Sequence, residues 1–124
     1  MTQSPHEDAV HAYVAAFAAQ DPAAATALFA ADATLEDPVG SETLHGIEAI
    51  AAFYARAMQM GAKLTLTGPV RLAGNSAAFA FTVSVNAPGQ KMEIDVIDVF
   101  RFNADGRVTE MRAYWSPANI RVMA

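Results

Sequence analysis

Apolar and polar residues alternate with a period of two from Lys63 to the end of the chain. This pattern is typical of β-strands that bury one face. Turn-forming residue pairs at 74–75, 88–89 and 105–106 divide the region into four strands. The first strand is interrupted at Gly68 and Pro69, where we expect a bend or a bulge. The second half of the chain therefore predicts a meander of mostly antiparallel strands.

The residues before Lys63 have helical spacing instead. Ser4, Pro5 and Glu7 predict the start of a first helix with a capping box, in which the glutamate lies three residues after the serine cap. The apolar residues that follow are spaced at i, i+3, i+4 and i+7, which predicts one buried stripe. The stripe contains Val10, Tyr13, Val14 and Phe17.

The Asp-Pro pair at residues 21–22 repeats the cap-and-proline signal. It predicts a second, alanine-rich helix that runs through Phe29 or Ala30. A short extended segment is predicted over residues 33–37. Pro38 ends this segment because proline has no backbone N–H to donate to a sheet.

A third helix is predicted between Gly46 and Gly61, which takes the position of a C-cap. Tyr54 and Tyr13 then lie on buried stripes of different helices. Each hydroxyl is either satisfied at the edge of the core, as is common for tyrosine, or the two hydroxyls meet. The stripe of the third helix contains Ile47, Ile50, Ala51, Tyr54 and Met58.

Three helices followed by a strand meander predict an α+β fold, with the helices gathered on one face of a mostly antiparallel sheet. A chain of 124 residues is long enough to bury a core without disulfides. We therefore expect a single domain over residues 1–124.

The strand predicted over residues 92–102 carries one acid on an otherwise apolar face. Successive side chains of a strand point to opposite faces. Asp95 falls on the mixed face, where an acid is ordinary. The apolar face contains Met92, Ile94, Val96, Asp98, Phe100 and Phe102.

A carboxylate in an apolar wall must find a partner or give up its charge. No Lys or Arg shares the face of Asp98 within its strand. Staying neutral at pH 7 requires the pKa of the side chain to rise from about 3.9 to about 7, which burial is able to supply. Two interpretations stay open: Asp98 pairs with an Arg or with backbone amides from elsewhere, or it is a neutral donor that faces an apolar space.

Asp37 is predicted to lie at a strand end, because Pro38 favours an extended backbone at the residue before it. A side chain there sits where rigid backbone meets open space. Aspartate is also common as a turn or cap residue, so a structural role for Asp37 stays open as well.

The last strand is predicted to have two distinct faces. Tyr114 of this strand, and Ile97 and Val99 of the strand before it, are apolar residues at outward positions of the sheet. One face of the last strand contains Thr109, Met111, Ala113 and Trp115, and the other contains Val108, Glu110, Arg112 and Tyr114.

The composition excludes several classes of function. A hydrophobic content of 53% with 17% charged residues argues against disorder. A net charge of -5 without a basic stripe disfavours nucleic acid and acidic membranes as partners. The chain has no cysteine, no signal-like first residues and no apolar run approaching about 20 residues. We therefore expect a cytoplasmic protein without thiol chemistry or a membrane span.

Metal and nucleotide chemistry have little support in the sequence. His6, His11 and His45 lack the i+3 or i+4 spacing of ligands on one helix, and no HExxH motif is present. A glycine-rich phosphate loop and a GxSxG elbow are also missing from the sequence. We therefore expect neither a metal site nor a serine hydrolase.

Five motifs agree in order and spacing with one family. They are Tyr13 on the first helix, TLEDPVG around Asp37, HGIEAIAAFYA at Tyr54, DVIDVFRF at Asp98, and MRAYWS near the end. The chain resembles the bacterial Δ5-3-ketosteroid isomerases from the first helix to about Val122. The resemblance implies a cone-shaped fold like that of nuclear transport factors, in which a curved sheet wraps over three N-terminal helices and encloses an apolar pocket.

The resemblance assigns Asp37 as the general base, and Tyr13 with protonated Asp98 as the oxyanion hole. The implied reaction converts a 3-oxo-Δ5-steroid to the Δ4 isomer through a dienolate, with one proton moving from C4 to C6. Ketosteroid isomerases are themselves the established case of an aspartic acid that stays neutral at pH 7 and donates a hydrogen bond. The resemblance further implies that no cofactor is needed and that the protein is a homodimer.

The resemblance also implies supporting roles around these three residues. Tyr54 is expected to hydrogen-bond Tyr13, and the Trp115 indole to steady the Asp37 carboxylate. Phe29 stands where some family members carry a third tyrosine. Substrate contacts are expected from Met111, Trp115, Phe53, Phe79, Phe81, Val96 and Phe100, with plain core packing as the alternative for each.

Two further functions stay open because the cone fold hosts several activities. One is a cyclase or hydratase acting on a polyketide or terpenoid, which would fail to isomerise a 3-oxo-Δ5-steroid. The other is a noncatalytic carrier or assembly domain, in which replacing Asp37 with asparagine would change nothing measurable.

Overall fold

The computed structural model describes residues 4–123. This range contains the helices α1 (Pro5–Ala18), α2 (Pro22–Thr26) and α3 (Ile47–Gln59), and none of them is long and apolar enough to cross a membrane. It also contains a 3₁₀-helix at Pro117–Asn119. The strands are β1 (Phe29–Glu36), β2 (Leu44–His45), β3 (Lys63–Leu66), β4 (Arg71–Ala73), β5 (Ser76–Ala87), β6 (Gln90–Phe102), β7 (Val108–Tyr114) and β8 (Ile120–Met123).

The strands form one sheet in the order β2-β1-β7-β6-β5-β3, with β4 paired to β5 and β8 paired to β6. Every pair is antiparallel except β1 and β7, which run parallel. The buried stripes of α1 and α3 pack with the inner face of the sheet in one apolar core. The predicted α+β class with a mostly antiparallel sheet is confirmed.

The two longest strands change neighbours along their length. Residues 76–78 of β5 pair with β4, whereas residues 81–84 pair with β3. In the same way, residues 97–102 of β6 pair with β7 and residues 91–94 pair with β8. Strands twist relative to their neighbours. Because β5 and β6 each pair with one strand near one end and with another strand near the other end, the sheet is able to curl around the helices and leave a cavity on its inner face.

The start of α1 differs from the predicted capping box. Ser4 is the cap, but its hydroxyl accepts from the backbone N–H of His6 at 3.2 Å instead of bonding Glu7. The Glu7 carboxylate lies 3.3 Å from the His11 ring, one turn further along the exposed face. The proline and the serine therefore start the helix, while the glutamate makes a surface contact with a histidine.

The prediction that the second helix runs through Phe29 or Ala30 is wrong. Helix α2 ends at Thr26, and Phe29 is the first residue of β1. Alanines favour a helix but bury little surface, whereas pairing in the sheet buries the Phe29 ring in the core. The backbone N–H of Val108 donates to Leu28 at 2.9 Å, which draws this segment into pairing with β7.

The predicted position of Val108 on the outward face is also wrong. Val108 pairs with Phe102 and is fully buried, while the next ladder pair joins Glu110 to Arg101. Thr109 is therefore an extra residue in β7, as in a β-bulge. The bulge shifts the alternation by one residue, so Val108 shares the buried face with Met111 and Ala113.

The sequence pattern did not indicate β8 as a separate strand. Residues 120–123 pair antiparallel with residues 91–94 of β6. Arg121 lies on the outward face, where it bonds the carboxylates of Asp95 and Glu93. Strand β8 thus widens the sheet at the end where β5 and β6 meet in their hairpin.

Candidate active site

A cavity of about 200 Å³ opens between α1, α3 and the inner face of the sheet. Only four of its lining side chains carry hydrogen-bonding groups: Tyr13, Asp37, Asp98 and Trp115. The rest of the lining is apolar and consists of Phe17, Phe53, Ala57, Met60, Ala62, Leu64, Phe81, Val83, Val85, Ile94 and Val96.

A larger cleft of about 720 Å³ lies beside α2, α3 and β1. Half of its lining residues are alanines, and Arg107 is the one titratable residue in that lining. The Arg107 guanidinium already donates to the carbonyl oxygen of Ala27 at 2.7 Å. The smaller cavity is therefore the candidate active site, because its lining contains two acids, Asp37 and Asp98, whereas the lining of the larger cleft contains none.

Asp98 lies on the inner face of β6, between Phe79 of β5 and Ala113 of β7. Its side chain is 1% exposed. Neither carboxyl oxygen has a hydrogen-bond partner among residues 4–123. Within that range no arginine and no backbone amide bonds the carboxyl group, so the structure favours the interpretation in which Asp98 is a neutral acid.

Electrostatics support the neutral form of Asp98. Burial raises the pKa of Asp98 well above its ordinary value, and the negative charge of Asp37 raises it further. A protonated carboxyl group has one O–H to donate. Asp98 is therefore able to donate to an oxygen atom of a molecule bound in the cavity.

Asp37 directly follows β1, at the strand end where the sequence predicts it. The loop behind it is fixed on two sides. The backbone N–H of Val39 donates to Ala113 of β7 at 2.8 Å, and that of Gly40 donates to the Glu36 carboxylate at 2.8 Å. This anchoring holds the Asp37 backbone in place while its side chain faces the cavity.

The Trp115 indole N–H donates to a carboxylate oxygen of Asp37 at 2.7 Å, which is the expected hydrogen bond. Burial raises the pKa of Asp37, and the indole N–H opposes this shift because it stabilises the charged form. The two acids therefore have different environments. Asp37 has a donor that favours its carboxylate form, whereas Asp98 has no such donor among residues 4–123.

Tyr13 and Tyr54 meet in the core, with 3.0 Å between their hydroxyl oxygens. This settles the question that the sequence leaves open. Burial raises the pKa of Tyr13 well above its ordinary value, and Tyr54 and Asp98 raise it further. Burial likewise raises the pKa of Tyr54. Both tyrosines therefore keep their protons and remain donors.

The residues predicted to contact a substrate fall into two groups. Phe53, Phe81, Val96 and Trp115 line the cavity. The other three, Phe79, Phe100 and Met111, are at most 1% exposed and pack in the core instead of among the lining residues. Phe100 and Phe79 contact the Tyr13 ring edge to face, so they hold Tyr13 in place.

Several lining residues were not singled out from the sequence, among them Val83, Val85 and Ile94 of the sheet. Strand alternation had placed these residues on the inner face, but alternation does not tell which part of that face is covered by helices. The sequence also did not identify Met60 and Leu64 as lining residues. Their position at the cavity depends on how α3 turns into β3.

The arrangement is suited to moving a proton at a carbon atom. The Asp37 carboxylate is able to accept a proton, and Tyr13 and neutral Asp98 are able to donate to an oxygen that gains negative charge. Apolar walls exclude water and strengthen these interactions. In the described part of the chain, no group of three or more His, Asp or Glu side chains is placed to hold a metal ion.

Comparisons with known proteins give two kinds of relative. Residues 10–111 match the SnoaL-like domain. The Steroid Delta-isomerase of Nocardioides simplex is 45% identical over 115 residues, which cover 92% of this chain and 92% of that protein. Epoxide hydrolase LasB of Streptomyces lasalocidi is 38% identical over 94 residues, covering 71% of this chain but 33% of that longer protein.

A solved structure has the same fold. It is that of SalBIII, an epoxide hydrolase/cyclase-like enzyme with a role in pyran ring formation in the polyether salinomycin. The TM-score is 0.90, with 24% sequence identity and 95% of each chain covered. At this level of identity the likeness establishes the cone fold, and activity has to be argued from the site.

Proposed function

Because this chain belongs to the steroid Δ-isomerase family, within the SnoaL-like domain fold, we propose that it isomerises 3-oxo-Δ5-steroids to 3-oxo-Δ4-steroids. The observation that carries the proposal is the pairing of two acids with different environments in one apolar cavity. Asp37 accepts a hydrogen bond from Trp115 that favours its carboxylate form, and Asp98 is buried with no partner among residues 4–123. This difference is what a base and a neutral donor require.

The proposed reaction begins when the Asp37 carboxylate removes a proton from C4 of the steroid. The C4–H bonding electrons form a C3–C4 double bond, and the C3 oxygen gains the negative charge of a dienolate. Asp37 then returns the proton at C6, where the C5–C6 double-bond electrons form the new C–H bond. The C3–C4 double-bond electrons shift to C4–C5, and the charge on the C3 oxygen re-forms the carbonyl group. Asp37 returns one proton for the one that it removes, so the reaction needs no cofactor.

Tyr13 and neutral Asp98 are proposed to donate to the C3 oxygen. A carboxylate is a weak base toward a C–H bond, so the reaction depends on strong stabilisation of the dienolate. Donors that are already fixed in a dry site provide it without reorganisation in the transition state. The hydrogen bond between Tyr13 and Tyr54 and the apolar wall around Asp98 support this arrangement.

The reaction is tested by mixing the protein with 5-androstene-3,17-dione and following the ultraviolet absorbance of the conjugated enone. Rapid formation of the Δ4 product is expected. A folded protein that forms no product would rule out the isomerase proposal and leave a different substrate for the same cavity.

Acid–base opening of an epoxide is the second candidate, and the relationship to LasB favours it. Asp98 would protonate the epoxide oxygen as one C–O bond breaks, and Asp37 would take the proton of the attacking hydroxyl group or water. The proton on Asp37 must then return to Asp98 before the next turnover. Conversion of an apolar hydroxy-epoxide, with no change in 5-androstene-3,17-dione, would select this candidate.

Replacing Trp115 with phenylalanine is expected to move the acidic limb of the pH profile of kcat/KM to higher pH. The indole N–H lowers the pKa of Asp37, so its removal allows burial to raise this pKa further. The carboxylate form is then lost at a higher pH. Tyr114→Phe, an exposed neighbour on the opposite face, is the control, and an unchanged limb in Trp115→Phe would contradict the prediction.

Replacing Tyr54 with phenylalanine is expected to lower kcat/KM by about 2- to 12-fold. If Tyr13 donates to the substrate, its oxygen accepts from Tyr54, and this polarises the donor. The stated range corresponds to the ~0.5–1.5 kcal/mol of a net hydrogen bond. Equal rates for Tyr54→Phe and wild type, measured with the same enone assay, would remove Tyr54 from the proposed network.

We also propose that the outward face of the sheet forms a homodimer. Ile97 and Tyr114 pair directly across β6 and β7, and they are 48% and 44% exposed. Two exposed apolar side chains side by side favour burial against a second copy. Sedimentation at micromolar concentration is expected to give a dimer that Ile97→Lys weakens, and a monomeric wild-type protein would contradict this.

A further inference from the structure

The inner face of the sheet remains apolar beyond the acids, toward the hairpin of β5 and β6. The strand register orders the side chains in levels across the sheet. Asp98 is level with Phe79, Val96 with Phe81, and Ile94 with Val83. The next level contains Met92 with Val85, and β8 adds Val122 beside Met92.

A fourth apolar side chain completes this last level. The carbonyl oxygen of Met60 accepts from the backbone N–H of Asn86 at 2.8 Å, which places the end of α3 beside Val85. We call the four residues the rim band: Met60, Val85, Met92 and Val122. Met60 and Val85 line the cavity, so the rim band is continuous with it.

The rim band lies further from Asp98 than a steroid nucleus reaches. Residues 92 and 98 are separated by six residue steps, and a rise of ~3.3 Å per residue gives ~20 Å along the strand. This length exceeds that of four fused rings. With the C3 oxygen at Asp98, the nucleus covers the levels of Val96 and Ile94, and its C17 end points toward the rim band.

The chemistry of the rim band is suited to an alkyl chain. Met60 is 42% exposed and Val122 is 57% exposed, so apolar surface is available to a ligand. Methionine side chains adapt to irregular apolar shapes. The charged groups nearby are directed to the other face, where Arg121 bonds Asp95 and Glu93.

We propose that the rim band is a binding subsite for an apolar substituent at C17 of the steroid. The inference rests on the proposed function, because that function places the C3 oxygen at Asp98. The subsite recognises alkyl chains by burial alone, since all four side chains are apolar. The protein is then expected to bind steroids with a hydrocarbon chain at C17 more tightly than steroids with hydrogen at C17.

The test measures binding without turnover. The probes are three androst-4-en-3-ones that carry hydrogen, ethyl or n-butyl at C17, and the signal is the fluorescence of Trp115, the single tryptophan of the chain. Full burial of one methylene tightens binding about fourfold. Because the rim band is partly exposed, we expect the dissociation constant to fall at least about tenfold from the hydrogen to the butyl compound.

Two variants on separate elements localise the effect. Val122→Asn and Met60→Ser are each expected to reduce the gain from the butyl group at least about threefold. Val122 is not a lining residue of the cavity, so Val122→Asn is expected to leave the affinity for the unsubstituted compound unchanged. Leu72→Asn is the control. The Leu72 side chain has the same exposed fraction as Met60, 42%, but it belongs to β4 and does not line the cavity. The control is expected to behave as wild type.

Several outcomes would overturn the subsite. These are equal affinity for all three compounds, wild-type behaviour of both rim variants, and rim variants that change sedimentation instead of affinity, which would make the band a contact with a second copy. Failure of the proposed function is distinguishable. In that case 5-androstene-3,17-dione is not isomerised, whereas failure of the subsite alone leaves its isomerisation intact.

Discussion

Replacing Asp37 with asparagine is expected to lower kcat/KM for 5-androstene-3,17-dione by about 10²- to 10⁴-fold, the usual contribution of a general base. An amide oxygen is still able to accept from the Trp115 indole, so the loop and the cavity wall keep their positions. What the variant loses is the basic carboxylate. Binding of a 3-oxo-Δ4-steroid, followed by Trp115 fluorescence, is expected to change far less than the rate.

Asp32→Asn is the matched control for this experiment. Asp32 is an exposed acid of β1, the strand that Asp37 follows, and it is not among the lining residues of the cavity. The control is expected to keep the wild-type rate. If Asp37→Asn binds the steroid and also isomerises it at the wild-type rate, another group must be the base and the proposed mechanism is wrong.

Replacing Asp98 with leucine is expected to have opposite effects on rate and stability. The variant loses one donor to the C3 oxygen, and loss of one such donor typically lowers kcat about 10²- to 10³-fold. At the same time it removes a buried polar group that has no partner among residues 4–123. A buried group of this kind costs about 1–3 kcal/mol, so the free energy of unfolding is expected to rise by about that amount at pH 7.

The stability effect of Asp98 has a defined dependence on pH. Burial in the folded state raises its pKa above the unfolded value of about 3.9, and the Asp37 charge adds to this. Between the two pKa values the folded state binds more protons than the unfolded state, so stability falls as pH rises. The stabilisation by Asp98→Leu is therefore expected to grow from about pH 4 upward, as measured by urea unfolding at several pH values.

Asp98→Asn separates the two roles of the side chain. Its amide group donates a hydrogen bond but does not titrate in this range. The variant is expected to retain more activity than Asp98→Leu, while its stability lacks the pH dependence contributed by Asp98. A folded Asp98→Leu protein with the wild-type rate would show that this acid is a structural residue only.

Local periodicity determined much of the fold. The alternation of side chains along one strand put Asp98 among Met92, Val96 and Phe100, and the structure confirms that this face is buried toward the core and cavity. Alternation depends on backbone geometry alone, which is why it is readable without neighbours. The stripes of α1 and α3 followed from helix geometry in the same way. The roles of these residues in catalysis remain predictions.

Long-range contacts decided the rest. Phe29 left the predicted helix because pairing with β7 buries its ring, and Val108 turned inward because a bulge absorbs Thr109. Val108, the partner of Phe29, is distant from it in the sequence, whereas the bulge lies in the hairpin of β6 and β7, where alternation alone does not show which residue is the extra one. The environment of Asp98 is also non-local, since an arginine from any other element would have paired with it. The sequence by itself determined which side chains share a face, and only the tertiary structure decided what lies opposite each face, because that depends on segments that folding brings together from distant parts of the chain.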